Sequence, residues 1–138
     1  MSDALIETLL KTPYVAKFGA YFERKGDELT GVLPYDEHLI GNPLVPALHG
    51  GAVGAFMEIV ASGALLASQK LVRLPKPIDV AVDYLRPARP VDVYARAIIG
   101  RSGARVANVR VEAWQGRRDA PVATLHGHFL IKPGSTDS

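Results

Sequence analysis

Glu58 is the one acidic residue in an apolar run from Ala52 to Ser68. Read as a helix, its face carries Gly51, Gly54, Ala55, Ala61, Ser62 and Leu65, most of them small. A carboxylate among Gly and Ala loses part of its hydration. Its pKa should therefore rise, which suits it to act as a general base or a nucleophile. Nine residues earlier stands His49, followed by Gly50 and Gly51. Glycines at a helix start leave backbone N–H groups unobstructed, and the first N–H groups of a helix have no partner inside it. With the helix dipole they favour negative charge, so they can polarise a carbonyl oxygen and hold the oxyanion it becomes. Asn42 precedes them in a loop punctuated by Gly41, Pro43 and Pro46. A Gly-Gly at a helix start is often only a turn, and a single loop His is often only a satisfied side chain. It is the combination of Asn, His-Gly-Gly and an interior Glu that marks a candidate site.

Such a site needs a helix to carry it and a sheet to bury that helix. Val53, Phe56, Met57, Val60 and Ala64 recur at helical spacing, which predicts a long helix from Gly51 to Lys70, ended by Arg73 to Pro77. A shorter helix, capped by Ser2 or Asp3, turns Leu5, Ile6, Leu9 and Leu10 to one side and stops at Thr12-Pro13. Two short strands are expected around Tyr21–Arg24 and Leu29–Leu33, joined by a turn at Lys25-Gly26-Asp27. Four period-2 runs follow, with Ile78, Val80, Val82 and Tyr84 on one face of the first. The others carry Val91 to Ile99, Ala107 to Ala113 and Ala123 to Ile131. Short connections at Arg101-Ser102-Gly103 and Gln115-Gly116-Arg117 point to a mostly antiparallel meander. The fold class is α+β, with a curved antiparallel sheet of about six strands wrapped around one central helix. No repeat or linker divides residues 1–138, so one domain is expected.

Composition narrows the chemistry. The chain has no cysteine, which removes thiol nucleophiles, disulfides and iron–sulfur ligation. Its 138 residues carry a formal net charge of +2, too little to imply a nucleic-acid partner without clustered, aromatic-interleaved basic residues. Gly50-Gly51-Ala52-Val53-Gly54 is not a dinucleotide fingerprint, and no phosphate-binding Lys motif is present. His126 and His128 share one strand face, but two His alone are a weak metal signal, so no metal and no cofactor are expected. Met1 to Glu7 lack the regions of a signal peptide, and the run around Glu58 is too short and too polar to span a membrane. A cytoplasmic protein without a membrane partner is expected.

His49-Gly50-Gly51 with Glu58, together with Tyr84-Leu85-Arg86-Pro87-Ala88, resembles the hotdog-fold acyl-CoA thioesterases of the 4-hydroxybenzoyl-CoA and phenylacetate-pathway type. The resemblance covers nearly the whole chain and includes the order of helix and strands. It implies a hotdog fold and hydrolysis of an acyl-CoA thioester. Glu58 then matches the catalytic carboxylate, and Gly50 the N–H that polarises the thioester carbonyl, with Gly51 beside it. His49 opens the motif. Asn42 is similar to a loop Asn that positions the reacting water or carboxylate, although it stands seven residues before His49 where six is familiar. Pro77 occupies a position where the family often has Ser or Thr. The resemblance further implies that arginines near strand ends, Arg86, Arg101 and Arg105 with Arg89, hold the CoA phosphates. It also implies a homodimer or homotetramer. Leu39, Leu44, Val53 and Met57 are expected to line the acyl pocket. Two other readings stay open, a non-catalytic acyl-CoA binding module and a hotdog-fold enoyl-CoA hydratase or dehydratase.

Overall fold

The computed structural model describes residues 3–39 and 50–134. Two short helices come first, α1 (Asp3–Lys11) and α2 (Pro13–Phe18). Pro13 ends α1 as expected, but it also begins α2. Its fixed φ and missing N–H suit the first turn of a helix, and Gly19 closes α2 in the left-handed conformation, φ 69°. Strands β1 (Tyr21–Lys25) and β2 (Glu28–Leu33) form the expected hairpin, in which Lys25 pairs with Glu28 and Gly26 takes φ 60°. The long helix α3 runs Gly50–Ser68. Four strands follow, β3 (Lys76–Tyr84), β4 (Val93–Ser102), β5 (Val106–Trp114) and β6 (Ala123–Leu130).

All six strands join one antiparallel sheet in the order β1-β2-β4-β5-β6-β3. The meander expected from sequence holds for β4, β5 and β6. It fails for β3, which lies at the far edge and pairs with β6 rather than β4. A helix of 19 residues is about 28 Å long at 1.5 Å per residue, enough to carry the chain from β2 to the opposite edge. Residues 85–92 then return along one end of the sheet to begin β4. Val91, expected within the strand, belongs to this return, with its N–H donating to the Arg89 carbonyl at 2.8 Å.

The core is the space between α3 and the concave face of the sheet. Phe56, Met57, Val60, Ala61, Leu65 and Leu66 of α3 are buried against Val93, Ala95, Val109, Val111, Leu125 and Phe129. Leu9 and Val15 close the core from the helical side. By length and composition α3 could cross a membrane, yet two-thirds of it is buried inside the protein, as befits a core helix. This is the hotdog arrangement.

Helix and sheet approach most closely where glycine allows it. A Cβ at Gly31 of β2 would run into Cγ2 of Val60 and stand 3.4 Å from the Phe56 ring. Val60 is buried and β-branched, with one strongly preferred rotamer in a helix, so it cannot swing aside. Gly31→Ala should therefore lower the unfolding free energy by about 1–2 kcal/mol. Overpacking at about 1–3 kcal/mol outweighs the roughly 0.5–1 kcal/mol that Ala gains over Gly in a strand. Urea denaturation of the two proteins checks this, and equal midpoints would contradict the close approach.

Candidate functional site

Glu58 lies two turns into α3 and is partly buried. Desolvation raises its pKa above the ordinary carboxylate range, as the small-residue face led one to expect. Around it α3 is almost wholly covered. The residues of α3 that keep some exposure near its start are Gly50, Gly51, Ala55 and Glu58. Gly51 and Glu58 are seven residues apart, close to two full turns, so they share a face about 10 Å apart along the axis. Helical side chains lean toward the N-terminus, which brings the carboxylate back over Ala55 toward the helix start. Gly51, Gly54 and Ala55 leave the path between them low.

Gly50 is the first residue of the helix. Beside it opens a cavity of about 430 Å³ lined by Gly50, Val53, Tyr84, Leu85, Arg86 and Ala88, among others. Glu58 does not line this cavity, which runs from the helix start toward the returning segment. Tyr84, the last residue of β3, donates its hydroxyl hydrogen to the Gly50 carbonyl at 2.8 Å. A second hollow of about 320 Å³ shares Arg86, Pro87 and Val122 with the first and adds Arg89, Gln115 and Arg117. Its frame is held by backbone and amide hydrogen bonds. The N–H groups of Leu85 and Arg86 both donate to the Val122 carbonyl. Gln115 accepts from the Arg89 N–H at 2.9 Å and donates to the Arg89 carbonyl at 2.7 Å. Three guanidinium groups thus gather at the end of the sheet where α3 begins, although Arg117 is already paired with Asp119 at 2.7 Å.

The expected site residues divide by position. Gly50, Gly51 and Arg86 fall at one end of the molecule, with Glu58 two turns further along α3, near its middle. Arg101 and Arg105 flank the β4–β5 turn, where Ile131 bonds the Arg105 carbonyl, at the opposite end of the sheet. Pro77 also lies at that end, paired with Phe129. Asn42, His49 and Leu44 lie outside the described residues. Of the remaining expected pocket residues, Val53 lines the cavity, while Leu39 and Met57 are buried in the core. Sequence reasoning gave no role to Tyr84 or to Arg117. The inward alternation of Ile78, Val80, Val82 and Tyr84 was the available signal for the first, since it directs Tyr84 at the helix.

His128 Nδ1 and Asp79 Oδ1 lie 2.8 Å apart on the outer face of the sheet, and His126 stands exposed on the same face. Among the described residues no three or more His, Asp or Glu side chains group as metal ligands. Another hollow, of about 460 Å³, opens where β2 diverges from β4, lined by Leu29, Ala64, Ala67 and Arg96 among others. It faces the C-terminal half of α3, away from the helix start. There Arg96 bridges the strands, donating to Thr30 Oγ1 at 2.8 Å and pairing with Glu28 at 3.0 Å.

Residues 46–122 match the model of the thioesterase superfamily. Among solved structures, a protein from Chromobacterium violaceum is 38% identical, with a TM-score of 0.72, over 98% of this chain and 93% of that one. A Pseudomonas aeruginosa protein is 28% identical, with a TM-score of 0.78, over 92% of this chain and 96% of that one. A thioesterase from Haemophilus influenzae shares the fold at 19% identity, with a TM-score of 0.76, over 100% of this chain and 95% of that one. No curated protein matches the chain by sequence.

The raised pKa of Glu58 has a sign that can be measured. A carboxyl whose folded pKa exceeds its unfolded value binds its proton more tightly in the native state. Native stability is then lost as pH rises from the unfolded value through the folded one. Glu58→Gln, which carries no charge, should raise the melting temperature at pH 7 by about 1–2 °C, and the gain should vanish in acid below the unfolded Glu pKa of about 4.3. A lower melting temperature for the variant at pH 7 would contradict the desolvation of Glu58.

Proposed function

We propose that this chain, which belongs to the thioesterase superfamily, hydrolyses an acyl-CoA thioester to a free acid and CoA. The observation that carries the reading is the partly buried Glu58, its pKa raised by desolvation, two turns behind a helix start made of Gly50 and Gly51. The thioester carbonyl oxygen takes the Gly50 N–H, where the helix dipole favours developing negative charge. Glu58 then either adds to the carbonyl carbon or takes a proton from a water that adds to it. The tetrahedral oxyanion collapses, the C–S bond breaks, and CoA leaves as a thiolate that takes the proton removed from water. Where Glu58 itself has added, water then hydrolyses the acyl–Glu58 anhydride, which frees the acid, restores the carboxylate and supplies that proton. In this reading His49 introduces the helix start, and Asn42 orients the water or the carboxylate.

The nucleotide end of the substrate suits the second hollow. Phosphates are recognised by guanidinium groups held in fixed geometry, and Arg86 and Arg89 stand on a segment pinned by Val122 and Gln115. Cysteine-free composition fits action in the cytoplasm, which we propose as its location.

Assembly enters the same reading. Among the described residues β3 is an edge strand, hydrogen-bonded only to β6. Its side chains Ile78 and Tyr84 are 55% and 56% exposed, although the Tyr84 hydroxyl touches the start of α3. Open edges and uncovered apolar side chains are stabilised by pairing. Two β3 strands joined antiparallel about a twofold axis would bring the start of the partner's strand beside Tyr84. That is how the end of the sheet holding Pro77, Arg101 and Arg105 would come to serve a site it cannot reach within one protomer.

Two measurements test this. Aryl and medium-chain acyl-CoAs should be hydrolysed, and Glu58→Ala should lower kcat by about 100-fold or more. Equal rates would remove Glu58 from the mechanism. Tight binding of every ester without turnover would favour a binding module, and hydration of enoyl-CoA would favour the hydratase. Light scattering at micromolar concentration should give a dimer or tetramer, with Val80→Asp shifting it toward monomer. A monomeric parent protein would contradict the assembly.

A further inference from the structure

We infer that Tyr84 is a positioning residue that holds Gly50, the residue whose N–H is assigned to the thioester carbonyl. The inference rests on the hydrolase reading above. Tyr84 is 56% exposed, yet its side chain is tied to the helix start. Its hydroxyl donates to the Gly50 carbonyl at 2.8 Å. A Cβ at Gly50 would stand 3.4 Å from its ring, and one at Gly54 would stand 3.1 Å from its hydroxyl oxygen. A Cβ at Gly54 would crowd the tyrosine hydroxyl, while one at Gly50 would meet the ring at ordinary contact distance. The glycines of the first turn therefore admit an aromatic ring from β3.

The consequence follows from backbone geometry. The carbonyl oxygen that accepts this bond and the N–H assigned to the thioester belong to one residue, Gly50, on either side of its Cα. A hydrogen bond received by that oxygen ties Gly50 to β3 and restrains the direction in which its N–H points. It does so at the point where a helix has fewest internal restraints. Tyr84 and Gly50 also line one cavity, with Arg86 two residues further on. A substrate entering there meets a helix start whose orientation is set by β3, and β3 in turn is held by eight paired residues to β6. Tyr84 touches the reaction only through Gly50, so its effect belongs in turnover more than in binding.

Tyr84→Phe tests the inference, because it keeps the ring and removes only the hydroxyl. With an acyl-CoA the parent hydrolyses, kcat should fall on the order of 3- to 10-fold, less than for loss of a direct oxyanion donor, and KM should stay within about twofold. The melting temperature should move by less than about 2 °C, a shift below the roughly 1 kcal/mol of one hydrogen bond. In a protein labelled at the glycine carbonyls, the Gly50 13C resonance should shift on losing its donor. Unchanged kcat with a shifted resonance overturns the positioning role. A large fall in melting temperature with unchanged kcat marks a purely structural tyrosine and overturns it too. If the parent turns over no thioester, the hydrolase reading fails on its own. The Gly50 resonance still decides whether Tyr84 holds the helix start, and an unshifted resonance overturns that.

Discussion

Phe56, Met57, Val60, Ala61, Leu65 and Leu66 are withdrawn from water around most of the circumference of α3. A helix can achieve this only if other elements cover nearly all its sides. The curved sheet supplies most of that cover, and α1 and α2 supply the rest. At about 25 cal/mol per Å² of apolar surface removed from water, this burial is the largest favourable contribution to the fold. It also dictates topology. The helix must lie across the concave face, so the chain leaves it at the edge opposite β2, and β3 is forced to the outside of the sheet next to β6.

The site is what this burial leaves over. The stripe of Gly51, Ala55 and Glu58 stays partly open, next to an edge strand that α3 covers only in part. Glu58 sits there only partly buried, and that desolvation raises its pKa. The same incomplete cover exposes Ile78, Val80 and Tyr84 of β3. The surface that suits a second copy of the chain and the surface that suits a substrate are therefore neighbours. The return segment 85–92, which exists because β3 sits at the far edge, carries Arg86 and Arg89 to the start of the helix.

Much of this was legible in the residues. Helical spacing of Val53, Phe56, Met57 and Val60 located α3 within two residues of its observed ends, because a buried helix leaves a dense apolar pattern. Period-2 alternation located the four later strands. Strand order was not legible. Alternation shows which way side chains face, but not which strand lies beside which, and the crossing of β3 depends on the length and path of α3. The raised pKa of Glu58 was readable from its small, apolar neighbours. The arginines were not separable by sequence, since Arg86 and Arg101 both sit near strand ends and only the sheet places them at opposite ends of the molecule. The hydroxyl of Tyr84 on Gly50 was hidden for the same reason. It joins residues 34 apart in the chain, and only the sheet's far edge brings them together.

A crystal structure with a non-hydrolysable acyl-CoA thioether ketone tests the central claim most directly. The account predicts the ketone oxygen within hydrogen-bonding distance of the Gly50 N–H, about 2.7–3.1 Å, with the Glu58 carboxylate facing the carbonyl carbon and the phosphates near Arg86 and Arg89. A ligand whose carbonyl lies away from the start of α3, for example in the opening between β2 and β4, would contradict it.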